Sequence, residues 1–441
     1  MLKALRRSYW LTQMFLGRHY KIIVRSTLTV LALLSLYLIL EHYLPTYTQI
    51  ERIGLIGKYT LDTLPTSLKS QISLGLVQLD YDGVVKPGLA KSYEISPDGK
   101  TYTFHLDSEL VWQDGSSVTS ADISYNFQNV TFEPKDQSII YHLQEPFSPF
   151  IAAVTNPLLK NNRLGVGEYR IQKTQTNSGF LVSLTLVSTN LKKVYKFYPT
   201  ENSALTALRL GEIDQVIGLT SVPPHLLSDP ALIQTEIPNQ RMTALFFNLN
   251  DNLLSSKTTR QGIAYAINDK TFGHPRALSP LASTSWAYNN LVKDYTYDPV
   301  KARSLFTTDA GSSAITLELK TTLSYLDIAE KIAADLRETL QISVDVKVVT
   351  TITNDFQLLL VDFIPPLDPD QYTTWHSTQP TNFTHYNNLK VDKLLEDGRR
   401  TLDPKLRKDI YFDFQRFLLE DSPAVFLFHT SSYTLSHQPL F

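Results

Sequence analysis

The chain has 441 residues, enough for two or three domains or for one large body with two lobes. With 43% hydrophobic and 19% charged residues the chain can form a hydrophobic core, which excludes an intrinsically disordered protein. Cysteine is absent, so disulfides, thiol catalysis and cysteine-bound metals are excluded as well.

The charge is distributed unevenly along the chain. Residues 1–40 carry six of the 41 basic residues and none of the 43 acidic ones, so the remaining residues have a net charge of −8. A nucleic-acid-binding protein needs the opposite sign on its folded part. We therefore expect no nucleic-acid partner.

The first predicted element is a membrane anchor. Residues 26–40 hold no charged side chain. Counted back to Ile22, with the Arg25 side chain reaching toward the membrane surface, the segment has 19 residues, a length between a signal-peptide core and a spanning helix. The bulky residues 41–45 offer no small-x-small cleavage site, although a cleaved signal remains the alternative. We predict a cytoplasmic segment at 1–21 and a transmembrane anchor at 22–44. Because the basic flank stays in the cytoplasm, the folded part lies outside the cell.

A hairpin is the next strong signal. Asp98 and Gly99 separate residues 93–95 from the alternating run 101–106. Glycine tolerates the positive φ of a tight turn, so this pattern predicts two antiparallel strands.

A short helix is expected soon after this hairpin. Asp114 and Gly115 close the next extended run, and Thr119 stands three residues before Asp122. This spacing resembles a capping box, with an acid in the first helical turn, and predicts a helix over residues 120–129.

Helical and strand periods alternate through the rest of the chain. A strand–helix–strand unit of suitable lengths predicts a parallel pair with a right-handed crossover. The last helix begins after the N-cap Asp403, with Pro404 at its first position. Its predicted inner face is formed by Leu406, Ile410, Phe414, Phe417 and Leu418. The predicted elements are helices at 201–210 and 258–268, a buried strand at 242–250, the unit at 315–319, 328–340 and 342–348, the helix after Asp403, and a final strand at 424–428.

The order and spacing of these predicted elements resemble those of the extracellular solute-binding proteins of family 5, the peptide/nickel ABC-transporter class. The resemblance extends over about residues 50–430, and most matching positions are structural, so it indicates a fold and a class rather than a ligand. The positions that match the family pattern are Pro87, Leu89-Ala90, Ser92-Tyr93-Glu94, Ser96, Asp98-Gly99, Tyr102-Thr103-Phe104, Leu106, Trp112, Asp114-Gly115, Thr119 and Asp122.

The resemblance implies an α/β, bilobal periplasmic-binding-protein-like (type II) fold. One lobe would comprise residues 46–244 with 416–441, and the other residues 245–415. Hinge strands would lie near Phe247 and Leu427. A peptide or another small solute would bind between the lobes, and the closed form would then dock on the permease subunits of an ABC transporter. We expect a monomer.

An enzyme is disfavoured by the motifs. The chain has no G-x-S-x-G elbow, no H-E-x-x-H and no Walker glycine loop, and its ten histidines are scattered. We predict no catalytic residue, no metal site and no cofactor. A membrane-tethered hydrolase remains a rival hypothesis, because distant positions can assemble a carboxylate pair.

The ligand-binding candidates are mainly aromatic and acidic residues in turn-rich stretches that resemble cleft-bordering segments of the family. Plain packing is the alternative for each aromatic side chain, since most aromatic residues belong to the core. The predicted ligand-binding residues are Phe247, Asn248, Trp286, Tyr288, Asp362, Asp368, Tyr372 and Trp375.

One loop departs from the family pattern. In peptide-binding members, an aspartate upstream of the Asp-Pro pair neutralises the free amino terminus of the ligand. Aligned on Asp368, that position is Pro365, and Asp362 is the nearby candidate substitute. An unpaired buried ammonium is unfavourable, so the sequence gives weak support for a ligand with a free amino terminus. This mismatch and a compact stretch at 130–202 motivate an alternative, a sensor or scaffold that has lost transport.

Overall fold

The computed structural model describes residues 2–43, 49–80, 83–310 and 315–437. The predicted boundary between anchor and folded part, at residues 44–46, lies outside these ranges. The strands are β1 (Gln49–Ile56), β2 (Val77–Leu79), β3 (Val85–Pro87), β4 (Ala90–Ile95), β5 (Thr101–Leu106), β6 (Val130–Lys135), β7 (Ser138–Leu143), β8 (Arg170–Asn177), β9 (Phe180–Val187), β10 (Leu191–Tyr198), β11 (Gln215–Leu219), β12 (Leu232–Phe247), β13 (Thr316–Thr321), β14 (Ser343–Val348), β15 (Leu358–Phe363) and β16 (Ala424–His437). The helices are α1 (Leu2–Tyr43), α2 (Thr66–Ile72), α3 (Phe150–Ala153), α4 (Glu201–Arg209), α5 (Pro224–Leu227), α6 (Lys257–Ala266), α7 (Pro299–Ala310), α8 (Leu326–Leu340), α9 (Tyr372–Trp375), α10 (Leu389–Arg400) and α11 (Pro404–Asp421).

Two long strands join the two halves of the folded part. A ten-stranded sheet has the order β14-β13-β15-β12-β16-β11-β1-β10-β9-β8. Its central strands β12 and β16 pair antiparallel from Leu232 opposite His437 to Phe246 opposite Ala424, with an irregularity between Pro238 and Met242. One end of this pair borders β11 and the other borders β15. Each strand therefore contributes to both the first half (residues 49–241 with 429–437) and the second half (residues 242–428).

The first half contains a separate four-stranded sheet with its own core. The order of this sheet is β4-β5-β7-β6. Its core holds the fully buried rings of Tyr102, Phe104, Trp112 and Tyr141. Gly99 has a φ of 69° between β4 and β5, so the predicted hairpin is confirmed with glycine at the position that needs it.

The second half is built on both faces of the shared sheet. Because successive strand residues point to opposite faces, Leu245 and Phe247 join the cluster under α6 and α8, while Ala244 and Phe246 join the cluster under α10 and α11. Phe247 is therefore a core residue with no exposed surface. The predicted strand–helix–strand unit is confirmed as β13, α8 and β14, with β13 and β14 parallel.

The last helix is confirmed, but its buried face differs from the prediction. Asp403 caps α11 by accepting a 2.8 Å hydrogen bond from the Leu406 amide. Leu406 itself is 59% exposed, and the buried residues include Arg407 and Tyr411. The buried face of α11 is therefore rotated relative to the prediction. Arg407, which is paired with Asp368, is buried in place of Leu406.

The predicted helix over residues 120–129 is wrong. The capping box forms, since Asp122 accepts bonds from both the amide and the hydroxyl of Thr119, but only one 3₁₀ turn follows, Ser120–Asp122. Ile123 is extended and buried, and the Tyr125 hydroxyl donates to the carbonyl of Val154. Packing of these side chains overrides the local helix signal.

Helix α1 covers residues 2–21 of the predicted cytoplasmic segment and residues 22–43 of the predicted anchor. None of the helices in the described part of the chain is long and apolar enough to cross a membrane. The prediction of a transmembrane helix at 22–44 is therefore not confirmed.

Candidate ligand cleft

A cavity of about 620 Å³ lies between the two halves. Its volume falls within the range of roughly 300–1,000 Å³ that is typical of small-molecule sites. Side chains from both halves form its walls, and several of them are apolar. The apolar wall residues include Leu79, Val85, Ile95, Ile151, Leu367 and Leu402.

Strand alternation places three of the first-half side chains on the cavity wall. Tyr93 and Ile95 are two residues apart on β4, and Ile95 lies opposite Tyr102 on β5, so all three share one face of the sheet. The Tyr102 hydroxyl donates to the carbonyl of Phe147 at 3.0 Å. Burial raises the pKa of Tyr102 to about 12 and also raises the pKa of Tyr93. Both phenols are therefore neutral at physiological pH.

Trp286 enters the cavity from the second half and lies against Gly83 of the first half. A Cβ atom on Gly83 would lie 2.4 Å from the Trp286 ring, and the φ of Gly83 is +74°. Any larger residue at position 83 would collide with the indole and strain the backbone. Glycine therefore allows the two halves to meet at this aromatic side chain.

Arg407 and Asp368 form a buried ion pair at the second-half wall. The guanidinium makes two parallel bonds to the carboxylate, one of them 2.8 Å from Nη1 to Oδ2. Its Nε donates to the carbonyl of Gly398 at 2.8 Å, and its carbon lies 5.5 Å from the Trp286 ring centre. Burial disfavours the charged form, but the Asp368 carboxylate outweighs it and raises the pKa of Arg407.

A second ion pair lies on the first-half wall. The Lys86 ammonium is 3.2 Å from Oδ2 of Asp80, and Oδ1 of the same carboxylate accepts a 2.8 Å bond from the Val84 amide. Lys86 is 60% exposed, so this pair is far more hydrated than the pair of Arg407 and Asp368.

Ser148 connects the two halves directly. Its amide donates to the carbonyl of Arg399 at 2.7 Å, and its hydroxyl lies within hydrogen-bond distance of the carbonyls of Arg399 and Thr401. The Arg399 guanidinium also lies 5.3 Å from the ring centre of Phe147. The structure therefore has its two halves in contact around the cavity.

Of the eight predicted ligand-binding residues, the structure places Trp286 and Asp368 on the cavity wall. Trp375, like Phe247, has no exposed surface, and its indole donates to Gln371 at 3.2 Å. Tyr288 packs against the core cluster under α10 and α11. The rings of Phe247, Trp375 and Tyr288 therefore pack against other protein side chains, which is the alternative given for the aromatic candidates.

The other three predicted residues lie in separate places. Asn248, just after β12, donates from its side chain to the carbonyl of Phe356 at 2.8 Å, 108 residues later in the chain. Asp362 accepts bonds from Arg241 and from the hydroxyl of Tyr325, so its carboxylate is engaged by the protein and does not line the cavity. Tyr372 lines a different cavity of about 450 Å³, where the Arg399 guanidinium lies 3.9 Å from its ring centre.

Several wall residues were not predicted from the sequence, namely Asp80, Lys86, Tyr93, Tyr102, Ser148 and Arg407. Tyr93 and Tyr102 match the family pattern, in which most positions are structural. The alternation of Tyr93 and Ile95 was a usable signal for a shared face. Arg407 had no local signal, because its partner Asp368 is far away in the sequence.

A cavity bounded by two halves that share two long strands defines a bilobal binding protein of the periplasmic-binding-protein type. The chain matches the family described as bacterial extracellular solute-binding proteins, family 5 middle, over residues 84–180 and 189–385. This match covers more than half of the sequence, and the chain belongs to that family.

Individual relatives agree with this assignment. The dipeptide-binding protein of Escherichia coli K12 is 24% identical, over 79% of this chain and 81% of its own length. The crystal structure of NikZ from Campylobacter jejuni in complex with Ni(L-His) has a TM-score of 0.72 at 22% identity, covering 90% of this chain and 95% of NikZ. The substrate-binding protein CtaP from Listeria monocytogenes has a TM-score of 0.75 at 22% identity, covering 88% and 94%. The bilobal α/β fold is therefore shared with solved structures.

Proposed function

We propose that this protein captures a peptide-like solute in the cleft between its halves and delivers it to the permease subunits of an ABC transporter. The observation that carries this proposal is the cavity whose walls come from both halves. A ligand that contacts both walls binds the closed form better and shifts the equilibrium toward it. Binding energy drives closure, and no covalent step is needed.

A peptide-like solute is favoured over a bare metal ion. The apolar wall, the phenol of Tyr93 and the indole of Trp286 suit amide groups and apolar side chains. Among the described residues, no histidine lines the cavity, and no group of three or more metal-ligating side chains occurs. The relative from Escherichia coli is named for dipeptides, which agrees with this choice.

The packing suggests lobe boundaries that differ slightly from the sequence prediction. Leu418, Leu419 and Phe426 belong to the same core cluster as Trp375. We therefore propose that one lobe comprises residues 49–241 with 429–437, and the other residues 242–428. The hinge would then lie where the pairing of β12 and β16 is irregular, between Pro238 and Met242.

Membrane anchoring through residues 22–44 is proposed from the sequence. The uncharged run at 26–40 and the six basic residues before it support an extracellular folded part attached to the cell membrane. Protease treatment of intact cells tests this orientation. Removal of the folded part is expected, whereas full protection would contradict it.

The ligand is tested by a melting-temperature shift of the purified protein against peptide and metal libraries. A shift with peptides and none with metal salts is expected. No shift with any compound, while the protein melts cooperatively, would contradict the proposed function.

One other candidate function is a sensor or scaffold of the same fold. It is favoured by Pro365, which stands where peptide-binding members of the family have an aspartate. A gene neighbourhood that lacks permease and ATPase genes would favour that role.

A further inference from the structure

Resting on the proposed function, we infer that the cleft selects solutes with uncharged ends, such as N-acylated and C-amidated peptides or cyclic peptides, over peptides with free termini. The inference depends on how the charges of the cavity wall are used. Among the described residues, four charged side chains line the cavity, Asp80, Lys86, Asp368 and Arg407.

Both wall carboxylates are already engaged by cations of the protein. Asp368 receives two bonds from Arg407, and its Oδ1 also accepts the Asp370 amide at 3.0 Å. Asp80 is bonded to Lys86 and to the Val84 amide. Asp362, the remaining candidate for an ammonium, is bonded to Arg241 away from the cavity. A ligand ammonium would have to share one of these carboxylates with a protein cation or displace that cation.

Both wall cations also have partners in the protein, although Lys86 is 60% exposed and Arg407 is buried. Every nitrogen of the Arg407 guanidinium donates within the protein, to Gly398 and Asp368, and the Arg407 residue is 6% exposed. Lys86 is held by Asp80. Among the described wall residues, a ligand carboxylate therefore meets no cation without an internal partner, and at Lys86 it has to share the ammonium with Asp80.

Among the described wall residues, the polar side chains without an ion-pair partner are uncharged. They include the phenol of Tyr93, the hydroxyl of Thr284, the indole of Trp286, and the hydroxyl of Ser285, whose oxygen also accepts the Ala287 amide at 3.4 Å. Such groups recognise amides and apolar side chains. A charged ligand end moved from water into this cavity loses hydration and meets only counter-ions that already have a protein partner. We expect this to weaken the binding of free-ended peptides by about tenfold or more relative to blocked ones.

The test compares one tripeptide library made in two forms, with free ends and with N-acetyl and C-amide ends. Melting-temperature shifts identify ligands, and titration calorimetry measures their affinities for the full chain. We expect the blocked form of each ligand to bind about tenfold more tightly, equivalent to about 1.4 kcal/mol. Equal or tighter binding of free-ended forms would overturn the inference while leaving the proposed function intact. If no tripeptide binds in either form, both the inference and the proposed function are contradicted.

A charge variant provides an independent test. Lys86→Met leaves the Asp80 carboxylate without its ammonium partner, and Lys86 is exposed enough that folding should not depend on it. The matched control is Lys91→Met, which removes the same charge from an exposed position outside the cavity wall. We expect Lys86→Met to shift the ratio of affinities toward peptides with a free amino terminus by about tenfold. An unchanged ratio in Lys86→Met, or the same shift in the control, would overturn the inference.

Discussion

The hydroxyl oxygen of Ser148 lies 3.0 Å from the carbonyl oxygen of Arg399, and this contact bridges the two halves of the protein beside the cavity. The bond joins the segment before α3 to the last turn of α10. Because it involves backbone carbonyls, its formation depends on the distance between the halves rather than on the side chain of a partner. This hydrogen bond therefore forms only when the halves are close together, and it stabilises the closed arrangement.

Replacing Ser148 with alanine is expected to shift the ligand-free protein toward an open form. The hydroxyl bond should contribute about 1 kcal/mol, which corresponds to about a fivefold change in the ratio of open to closed molecules. Small-angle scattering should then give a larger radius of gyration for the variant. The control Ser178→Ala, in the turn between β8 and β9, should have the same radius of gyration as the unchanged protein. A variant as compact as the control would contradict this role.

The ion pair of Arg407 and Asp368 should dominate the stability of the cavity wall. In Asp368→Asn the buried guanidinium keeps its charge but loses its carboxylate, so the free energy of unfolding should fall by about 3–5 kcal/mol. The double variant Asp368→Asn/Arg407→Met should recover much of this loss, because no uncompensated charge remains. Urea unfolding measures both.

An exposed ion pair provides the comparison for these variants. Lys393 and Asp397 are paired on the surface of α10 with side chains 61% and 40% exposed. Lys393→Met should change the free energy of unfolding by less than about 0.5 kcal/mol. A loss in Asp368→Asn no larger than this would show that the buried pair is not important for stability.

Trp286→Ala should weaken ligand binding. The indole contributes aromatic surface to the cavity, and buried aromatic side chains often carry much of the binding energy, so we expect a loss of affinity of about tenfold or more. Titration calorimetry with the tightest ligand of the library measures the change. Phe180→Ala, an exposed aromatic residue on β9, should bind normally. Unchanged affinity in Trp286→Ala would place the ligand elsewhere.

His429 should make stability depend on pH. The imidazole is 7% exposed, and burial, followed by the nearby Arg276 guanidinium, lowers its pKa below the ordinary value of 6.5. The unfolded chain therefore binds the proton more readily than the folded protein. Its contribution to stability is complete above about pH 6.5 and is lost as the pH falls from there through the lower folded pKa.

His429→Gln should reduce the decrease in unfolding free energy between about pH 7 and about pH 5. Urea unfolding at several pH values gives this slope. The matched variant His225→Gln, at an exposed position, should retain it. If His429→Gln keeps the full slope, other groups are responsible for the pH dependence.

Local signals predicted much of the fold because they act over a few residues. The turn at Asp98 and Gly99 and the strand–helix–strand unit around α8 depend on backbone preference and on a repeating apolar pattern. The capping box of Thr119 was also real. It did not produce a longer helix, because Ile123 and Tyr125 gain more from packing in the core of the first half.

The cavity wall was less predictable because the same residue types occur in the core. Trp286 and Trp375 both lie in turn-rich stretches, but only Trp286 faces the cavity. The difference is tertiary, since Trp375 donates to Gln371 and packs near Phe246. Arg407 escaped prediction because the charge that makes its burial possible comes from Asp368, 39 residues earlier.

Ligand-driven closure of the two halves is tested most directly by a distance between spin labels. The chain has no cysteine, so Lys91→Cys in the first half and Lys331→Cys in the second give the only two thiols. We predict that a ligand confirmed by calorimetry narrows the distance distribution and shifts it toward one closed state. An unchanged distribution with the ligand bound at saturation would contradict capture by closure.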